Sequence, residues 1–446
     1  MLFGKHINKY YLKYGHWFIL GILALVVIDY IQLIVPELYR TVINGINNGF
    51  VIKDGKELPF NMDFVLDEVC RPLLIIILCM IIGRFLWRIC FFGAGIRIET
   101  SLRSRMFDRC RALSQNYYQQ NKVGNLMSLF TNDLETVQDC FGMGVMMFCD
   151  ALLLGVLAVI KMARMNGFLT FLTMIPMVIM LICGLILSKY MTKKWENRQA
   201  AFSALSEFSQ ESFAGISVIK AFVKEFKELM AFKKLNKENE HANVEYTKAS
   251  TLLRIFVTLF VESVICIILG YGGFLVYKGT FNAGELMEFI GYFNSIVWPV
   301  MAISQLIEMG SRGKASLKRI GELLDSLPDV TDKDTVTAPE AIYGEIEFKN
   351  LTFRYPDGKY DVLTNASFKI NAGERVGIVG RTGSGKTTIA DLILRTYNVP
   401  DGTLFIDGKD IRSLTLDSIR RNIGIVQQDV FLFVGTIKEN ILYGRP

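Results

Sequence analysis

Gly380-Arg381-Thr382-Gly383-Ser384-Gly385-Lys386-Thr387-Thr388 is the stretch whose reading orders the rest of this chain. It has the form G-x-x-x-x-G-K-[ST], and its surroundings suit that form. The run RVGIV at 375–379 predicts a strand entering the loop, and 387–395 predicts a helix leaving it. Three glycines let the backbone turn tightly enough for successive N–H groups to point at phosphate oxygens. The start of the helix adds the positive end of its dipole. Lys386 reaches the β- and γ-phosphates of a nucleoside triphosphate, and the Thr387 hydroxyl is placed to ligate Mg2+. A plain strand-to-helix turn needs neither the lysine nor three glycines.

Upstream, residues 344–355 (GEIEFKNLTFRY) alternate with period two, which predicts a strand, and 366–370 is a further short β-rich run. Tyr355 is an aromatic residue placed before the loop where it can stack on an adenine ring; taken alone it is also an ordinary strand residue. Before it, 326–342 (SLPDVTDKDTVTAPEAI) is polar, carries two prolines and has no sustained periodicity, so it reads as a linker.

Before the linker the composition is different. Over all 446 residues, 51% are hydrophobic, 21% are charged, and the mean hydropathy is +0.32. The excess concentrates in six runs of spanning length, 16–38, 69–95, 138–160, 167–189, 252–277 and 284–307. Lysine and arginine crowd the N-terminus (Lys5, Lys9, Lys13) and the connections after the second, fourth and sixth runs, and are sparse in the others. That alternation predicts six spans with both termini in the cytoplasm. The two longest connections keep a helical pattern, as at Ile98, Leu102, Met106 and Leu113. Structureless loops of that length are uncommon, so the spanning helices are expected to continue into the cytoplasm and turn near 118–124 and 213–219. Asp29, Arg84, Arg88 and Glu262 fall within the runs. Charges there are costly, so each is expected to face a bundle interior, a wet cavity or a partner.

Several classes are excluded. With 49 Lys and Arg against 43 Asp and Glu, the surplus of +6 is mild and gives no reason to expect nucleic acid. Eight cysteines without a CxxC pair, and three histidines, argue against zinc; the cysteines read as small apolar packing residues. The first apolar run is too long, and lacks the cleavage pattern, for a removable signal peptide.

With these residues in view, the chain resembles half-transporters of the ATP-binding cassette (ABC) exporter family, of multidrug or lipid exporter type. GRTGSGKTT resembles the family's phosphate loop, and Tyr355 in FRYPDG its adenine platform. Gln428 in IVQQDVFLF resembles the glutamine that contacts Mg2+ and the attacking water. GNLMSLFTNDLETVQ and ESFAGISVIKAFVKE resemble the cytoplasmic coupling loops, and SRGKASLKRIGELLD the exit from the sixth helix.

The resemblance implies an all-α membrane domain of six helices (1–325), a linker (326–342) and a partial α/β P-loop ATPase domain (343–446). It implies binding of ATP and Mg2+ through Tyr355, Gly380, Thr382, Gly383, Ser384, Gly385, Lys386, Thr387 and Thr388. Lys386 and Gln428 are the implied catalytic residues, and Thr387 and Gln428 the metal ligands. The implied activity is ATP-driven export of apolar or amphipathic compounds (drugs, lipids or peptides). It would take place in the plasma membrane, by a dimer with a second exporter half, a heterodimer being favoured. The family's signature motif, its Walker B strand and its switch histidine do not occur in the 446 residues, so the chain is expected to be truncated within the nucleotide domain. The alternative expectation is a non-hydrolysing membrane subunit that binds nucleotide or a partner without turnover.

Overall fold

The structure is a computed structural model and describes residues 4–53, 56–332, 336, 341–428 and 431–444. Most of the linker stretch 333–340 thus lies outside the described residues. The chain forms two compact units. One comprises Met1–Leu102 and Asn132–Lys318, the other Arg103–Thr131 and Arg319–Pro446.

Among the described residues, six helical segments are long and apolar enough to cross a membrane: Gly15–Asn48, Met62–Ala112, Val123–Met165, Gly167–Gly184, Glu225–Tyr277 and Ala283–Asp325. The six apolar runs of the sequence fall on them in order. The helices Arg71–Ala112, Gly167–Ala214, Glu225–Ile267 and Ala283–Asp325 run unbroken for 42, 48, 43 and 43 residues. At a rise of 1.5 Å per residue they are roughly 63–72 Å long, against a hydrocarbon layer of about 30 Å. They therefore extend far beyond the apolar slab, as the helical pattern of the basic connections predicts.

Local chemistry sets the breaks between helices. The first span divides into Gly15–Gln32 and Val35–Asn48, with Pro36 in the opening turn of the second piece, where its missing N–H is not needed. Gly49 ends that piece at φ +73°, in the left-handed cap that glycine adopts freely. Asn166 opens the helix Gly167–Ala214 by accepting a hydrogen bond from the Leu169 N–H at 2.9 Å.

The core of this unit joins Phe289, Tyr292, Phe293 and Ile296 to Leu154, Ala158 and Met162. Beside it lies a polar group. Glu37 accepts from Lys161 Nζ at 2.5 Å, and Glu288 from Arg40 Nη1 at 3.0 Å. The Tyr292 hydroxyl donates to Glu288 at 2.8 Å and lies 3.2 Å from Glu37. Glu288 and Tyr292 are buried, and this pairing is what makes a carboxylate tolerable there. Of the four ionisable residues within the apolar runs, Asp29 is buried, while Arg84, Arg88 and Glu262 are exposed. Cys90, Cys140 and Cys149 are buried as small packing residues; Cys79 and Cys266 are exposed.

In the second unit, a short helix Gln115–Gln120 follows the long helix that ends at Ala112. The strands β3 (Ile346–Phe353), β4 (Leu363–Ile370), β5 (Leu404–Ile406) and β6 (Lys409–Asp410) form one antiparallel sheet in the order β4-β3-β5-β6. The strands β1 (Phe50–Lys53) and β2 (Lys56–Pro59) form a separate hairpin in the first unit. The period-two alternation of 344–355 becomes β3, which places Phe348, Leu351 and Phe353 in the core with Leu392, Leu404 and Ile406. Asp407-Gly408 joins β5 to β6 with φ +48° and +72°, the two-residue turn that matches the twist of a hairpin.

One expectation is corrected. RVGIV at 375–379 forms no strand and pairs with none among the described residues, and Val379 is 97% exposed. A run apolar on both faces is stable as a strand only with neighbours on either side. The sheet formed by β3 to β6 does not supply them.

Candidate nucleotide site

The helix Lys386–Ile393 starts directly from the glycine loop, with Gly385 as its N-cap at φ +83° and Gly383 at φ +84°. Both angles lie in the left-handed region, where a Cβ is penalised. Gly385 is also pressed from behind. A Cβ there would come within 2.9 Å of Leu363 Cδ2 and 3.2 Å of the Val362 carbonyl oxygen. Thus the end of the β3–β4 connection backs the loop, a role the sequence did not signal, because Val362 and Leu363 lie outside every motif and β-rich run read from it.

Lys386 closes the loop from its open side. Its ammonium donates to the carbonyl oxygens of Gly380 at 2.9 Å and Arg381 at 2.8 Å. The ammonium therefore sits over the loop it follows, held by two weak acceptors that a phosphate can replace with stronger charge-assisted bonds. Thr382, Gly383, Ser384 and Thr387 are exposed. Thr387, at the helix N-terminus, presents its side chain where a dipole end favours negative charge. Arg381 and Lys386 are the charged residues of the stretch 380–388, so its field is positive.

Thr388 points the other way. It is buried, and its hydroxyl lies 2.9 Å from the Tyr355 hydroxyl. That bond ties Tyr355, just beyond the end of β3, to the first turn of the loop helix. Tyr355 is half-buried and packs edge-on against Phe353 and Tyr397, with ring centroids 5.2 Å apart in each case. Burial, and then neighbouring Tyr355, pushes the Tyr397 hydroxyl up to about 12, so Tyr397 stays neutral beside it. Gln428 is exposed, and no hydrogen bond among the described residues connects it to the loop. The structure thus brings Tyr355 and the glycine loop together through the Thr388 hydroxyl.

Arg395 is a residue that the sequence did not mark. It follows the loop helix with φ +48° and is 1% exposed. Its guanidinium donates to the carbonyls of Leu414 (3.0 Å) and Thr331 (2.9 Å) and to Asp332 Oδ1 (3.3 Å). It therefore pins the start of the linker stretch to the segment that carries the loop. Nearby, Asp329 accepts from Asn116 Nδ2 through its carboxylate (2.8 Å) and from Asn398 Nδ2 through its carbonyl (2.7 Å). This links the helix Gln115–Gln120 to residues that follow the loop helix.

The geometry fits a nucleoside triphosphate: a glycine cradle that a Cβ would obstruct, a lysine over it, a hydroxyl at a helix N-terminus, and an aromatic ring beside it. Comparison with known proteins agrees. Residues 18–300 match the family model described as ABC transporter transmembrane region, and 363–444 the model described as ABC transporter. The chain is 32% identical over 444 residues to the "Probable multidrug resistance ABC transporter ATP-binding/permease protein YheI" of Bacillus subtilis (strain 168), covering 99% of this chain and 73% of that protein. It is 30% identical to the "Multidrug resistance-like ATP-binding protein MdlA" of Buchnera aphidicola subsp. Schizaphis graminum, over 99% of this chain and 74% of that one. Its identity to the "ATP-dependent lipid A-core flippase" of Syntrophus aciditrophicus is also 30%, over 84% of this chain and 62% of the relative.

Proposed function

The chain belongs to the ABC transporter family, and on that premise we propose that it is one half of an ATP-driven exporter of apolar or amphipathic compounds. The observation that carries this reading is the union, in one chain, of six membrane-crossing helical segments with a glycine loop whose lysine and left-handed glycines form a phosphate cradle. The relatives' names support the direction of transport and the breadth of cargo.

In this reading the loop N–H groups and Lys386 bind the ATP phosphates, and Tyr355 stacks on the base. Thr387, together with Gln428, would hold Mg2+, which when bound draws negative charge from the phosphates. Thr388 orients Tyr355 through their shared hydrogen bond. Asn116, Asp329 and Asn398 tie the helix Gln115–Gln120 to the segment after the loop helix, so movement at the site reaches that helix. A second contact surface is the tip around the helix Ile216–Ala221, where Phe213, Val218 and Phe222 remain exposed. The second exporter half, a heterodimer partner being favoured, covers that apolar tip. The protein resides in the plasma membrane with both termini cytoplasmic, following the basic connections.

The test is ATP-dependent uptake of ethidium into everted membrane vesicles that carry the protein with its partner half. Lys386→Ala should abolish it. Uptake at the unaltered rate would refute the assignment of the loop.

A further inference from the structure

We propose that Tyr397 is a positioning residue for the nucleobase, acting on a bound nucleotide by holding the ring of Tyr355 in the plane on which a base stacks. The proposal rests on the nucleotide reading of the glycine loop and adds to it a residue outside the loop. Tyr355 opens a tight turn beyond β3, closed by the Gly358 N–H, which donates to the Tyr355 carbonyl at 2.9 Å. The turn fixes the backbone but not the side chain, whose ring swings between rotamers unless neighbours stop it. Three contacts stop it. Phe353 and Tyr397 each pack edge-on against the ring at 5.2 Å, and they meet one another at 5.7 Å, so the three rings close a triangle. The Thr388 hydroxyl, 2.9 Å from that of Tyr355, holds the tip. Phe353 and Tyr397 are buried, whereas Tyr355 is half-buried, so it is the ring of the three that keeps surface for a ligand.

Tyr397 can act as a brace because its own segment is tied down on both flanks. On one side, Arg395 is buried and donates to the carbonyls of Thr331 and Leu414. On the other, Asn398 Nδ2 donates to the Asp329 carbonyl at 2.7 Å. Thr388 lies in the first turn of the helix Lys386–Ile393, and Tyr397 in the bend that follows that helix. The segment that presents Lys386 to the phosphates therefore grips Tyr355 at both of these points, which fixes where a base lies relative to them. A ring that must first be ordered returns less affinity on stacking than one already held, because its immobilisation offsets part of the gain. Loss of the Tyr397 ring should thus weaken the hold on the base and leave the phosphate contacts unaltered.

The test compares ATP with inorganic tripolyphosphate, which has the phosphates and no base. Both are titrated by calorimetry into the protein with its partner half, without Mg2+ so that nothing is hydrolysed. Tyr397→Leu, which keeps an apolar side chain in the core but removes the flat ring, should weaken ATP by about three- to tenfold, the worth of an aromatic pair, and tripolyphosphate by less than about twofold. Tyr397→Met should do the same, so the result does not hang on the fit of one replacement, and retained tripolyphosphate binding reports a folded loop. Tyr397→Phe, which restores the ring, should bind both within about twofold of the unaltered protein. Added to Tyr355→Ala, Tyr397→Leu should weaken ATP by less than about a further twofold, since its effect passes through Tyr355. Unchanged ATP affinity in both the Leu and Met variants, equal losses for ATP and tripolyphosphate, or losses that multiply in the double variant would each overturn the proposal. The last two are what a purely packing role gives. Failure of the nucleotide reading would appear separately, as ATP affinity indifferent to Lys386→Ala.

Discussion

Alanine at Gly380, Gly383 and Gly385 should weaken ATP binding unequally, in an order that the loop geometry sets. Gly383 stands at φ +84°, and no atom lies within 4 Å of where its Cβ would be. Its alanine variant therefore bears only the left-handed penalty of about 1–2 kcal/mol, a five- to thirtyfold loss of affinity. Gly385 carries the same penalty at φ +83°. Its Cβ would also approach Leu363 Cδ2 to 2.9 Å and the Val362 carbonyl oxygen to 3.2 Å. A backbone carbonyl cannot swing aside, so overpacking adds about 1–3 kcal/mol and the total loss is thirtyfold or more. Gly380 has no left-handed angle, and its Cβ would meet the Ser384 hydroxyl at 2.5 Å. That hydroxyl turns away about one bond, so the loss stays below about 1 kcal/mol, or fivefold. The unbound loop can relax into an unstrained shape, but binding must restore the cradle and bear the strain, so the difference appears in Kd. Titration with trinitrophenyl-ATP, on protein reconstituted with its partner half, measures all three variants. Equal losses, or the largest loss at Gly380, would refute the argument.

Tyr355→Ala should weaken ATP by about 1–3 kcal/mol, the worth of a base–aromatic stack, whereas Tyr355→Phe, which loses only the bond to Thr388, should stay within about 1 kcal/mol in the same titration. Arg395→Met removes the donor to the Thr331 and Leu414 carbonyls and should destabilise its unit by about 3–5 kcal/mol; hydrogen exchange should accelerate at 329–332. Thr436→Ala breaks the capping box with Glu439 and should fray the helix Ile437–Leu442, again read by hydrogen exchange. Hydrogen bonds from the Thr436 N–H and hydroxyl hold the Glu439 carboxyl below its usual 4.5. A carboxylate so depressed in the folded state stabilises fully above that usual value, and the contribution disappears as pH falls through the lower native one. The helix should therefore protect its amides at neutral pH and lose that protection in strong acid.

The features legible in the sequence are those that repeat or lie close together along the chain. The runs from 16–38 to 284–307 announce helices because a bilayer imposes a length and a hydropathy on each segment independently. GRTGSGKTT announces a phosphate cradle because its glycines, lysine and threonines act within nine consecutive residues. Period two at 344–355 announces β3 for the same local reason. RVGIV at 375–379 misleads, since the same pattern serves a strand only when neighbours flank it, and pairing is not a local property.

Other features depend on residues far apart in sequence. Asp29 reads as one of four awkward charges in apolar runs. Only the packing of its helix against Val145–Met165 buries it beside Asp150, while Arg84, Arg88 and Glu262 stay exposed. Thr387, which closes the motif, and Thr388, which follows it, are adjacent threonines. The helix turns about 100° per residue, so one hydroxyl is left at the open end and the other is carried inward to Tyr355. Arg395 is one arginine among many until folding closes Thr331, Asp332 and Leu414 around it. By itself, then, the sequence determined the membrane spans and the phosphate loop, whose physics is complete within each segment. The tertiary structure decided which polar groups are buried and what they meet, because burial and partnership exist only once distant segments are brought side by side.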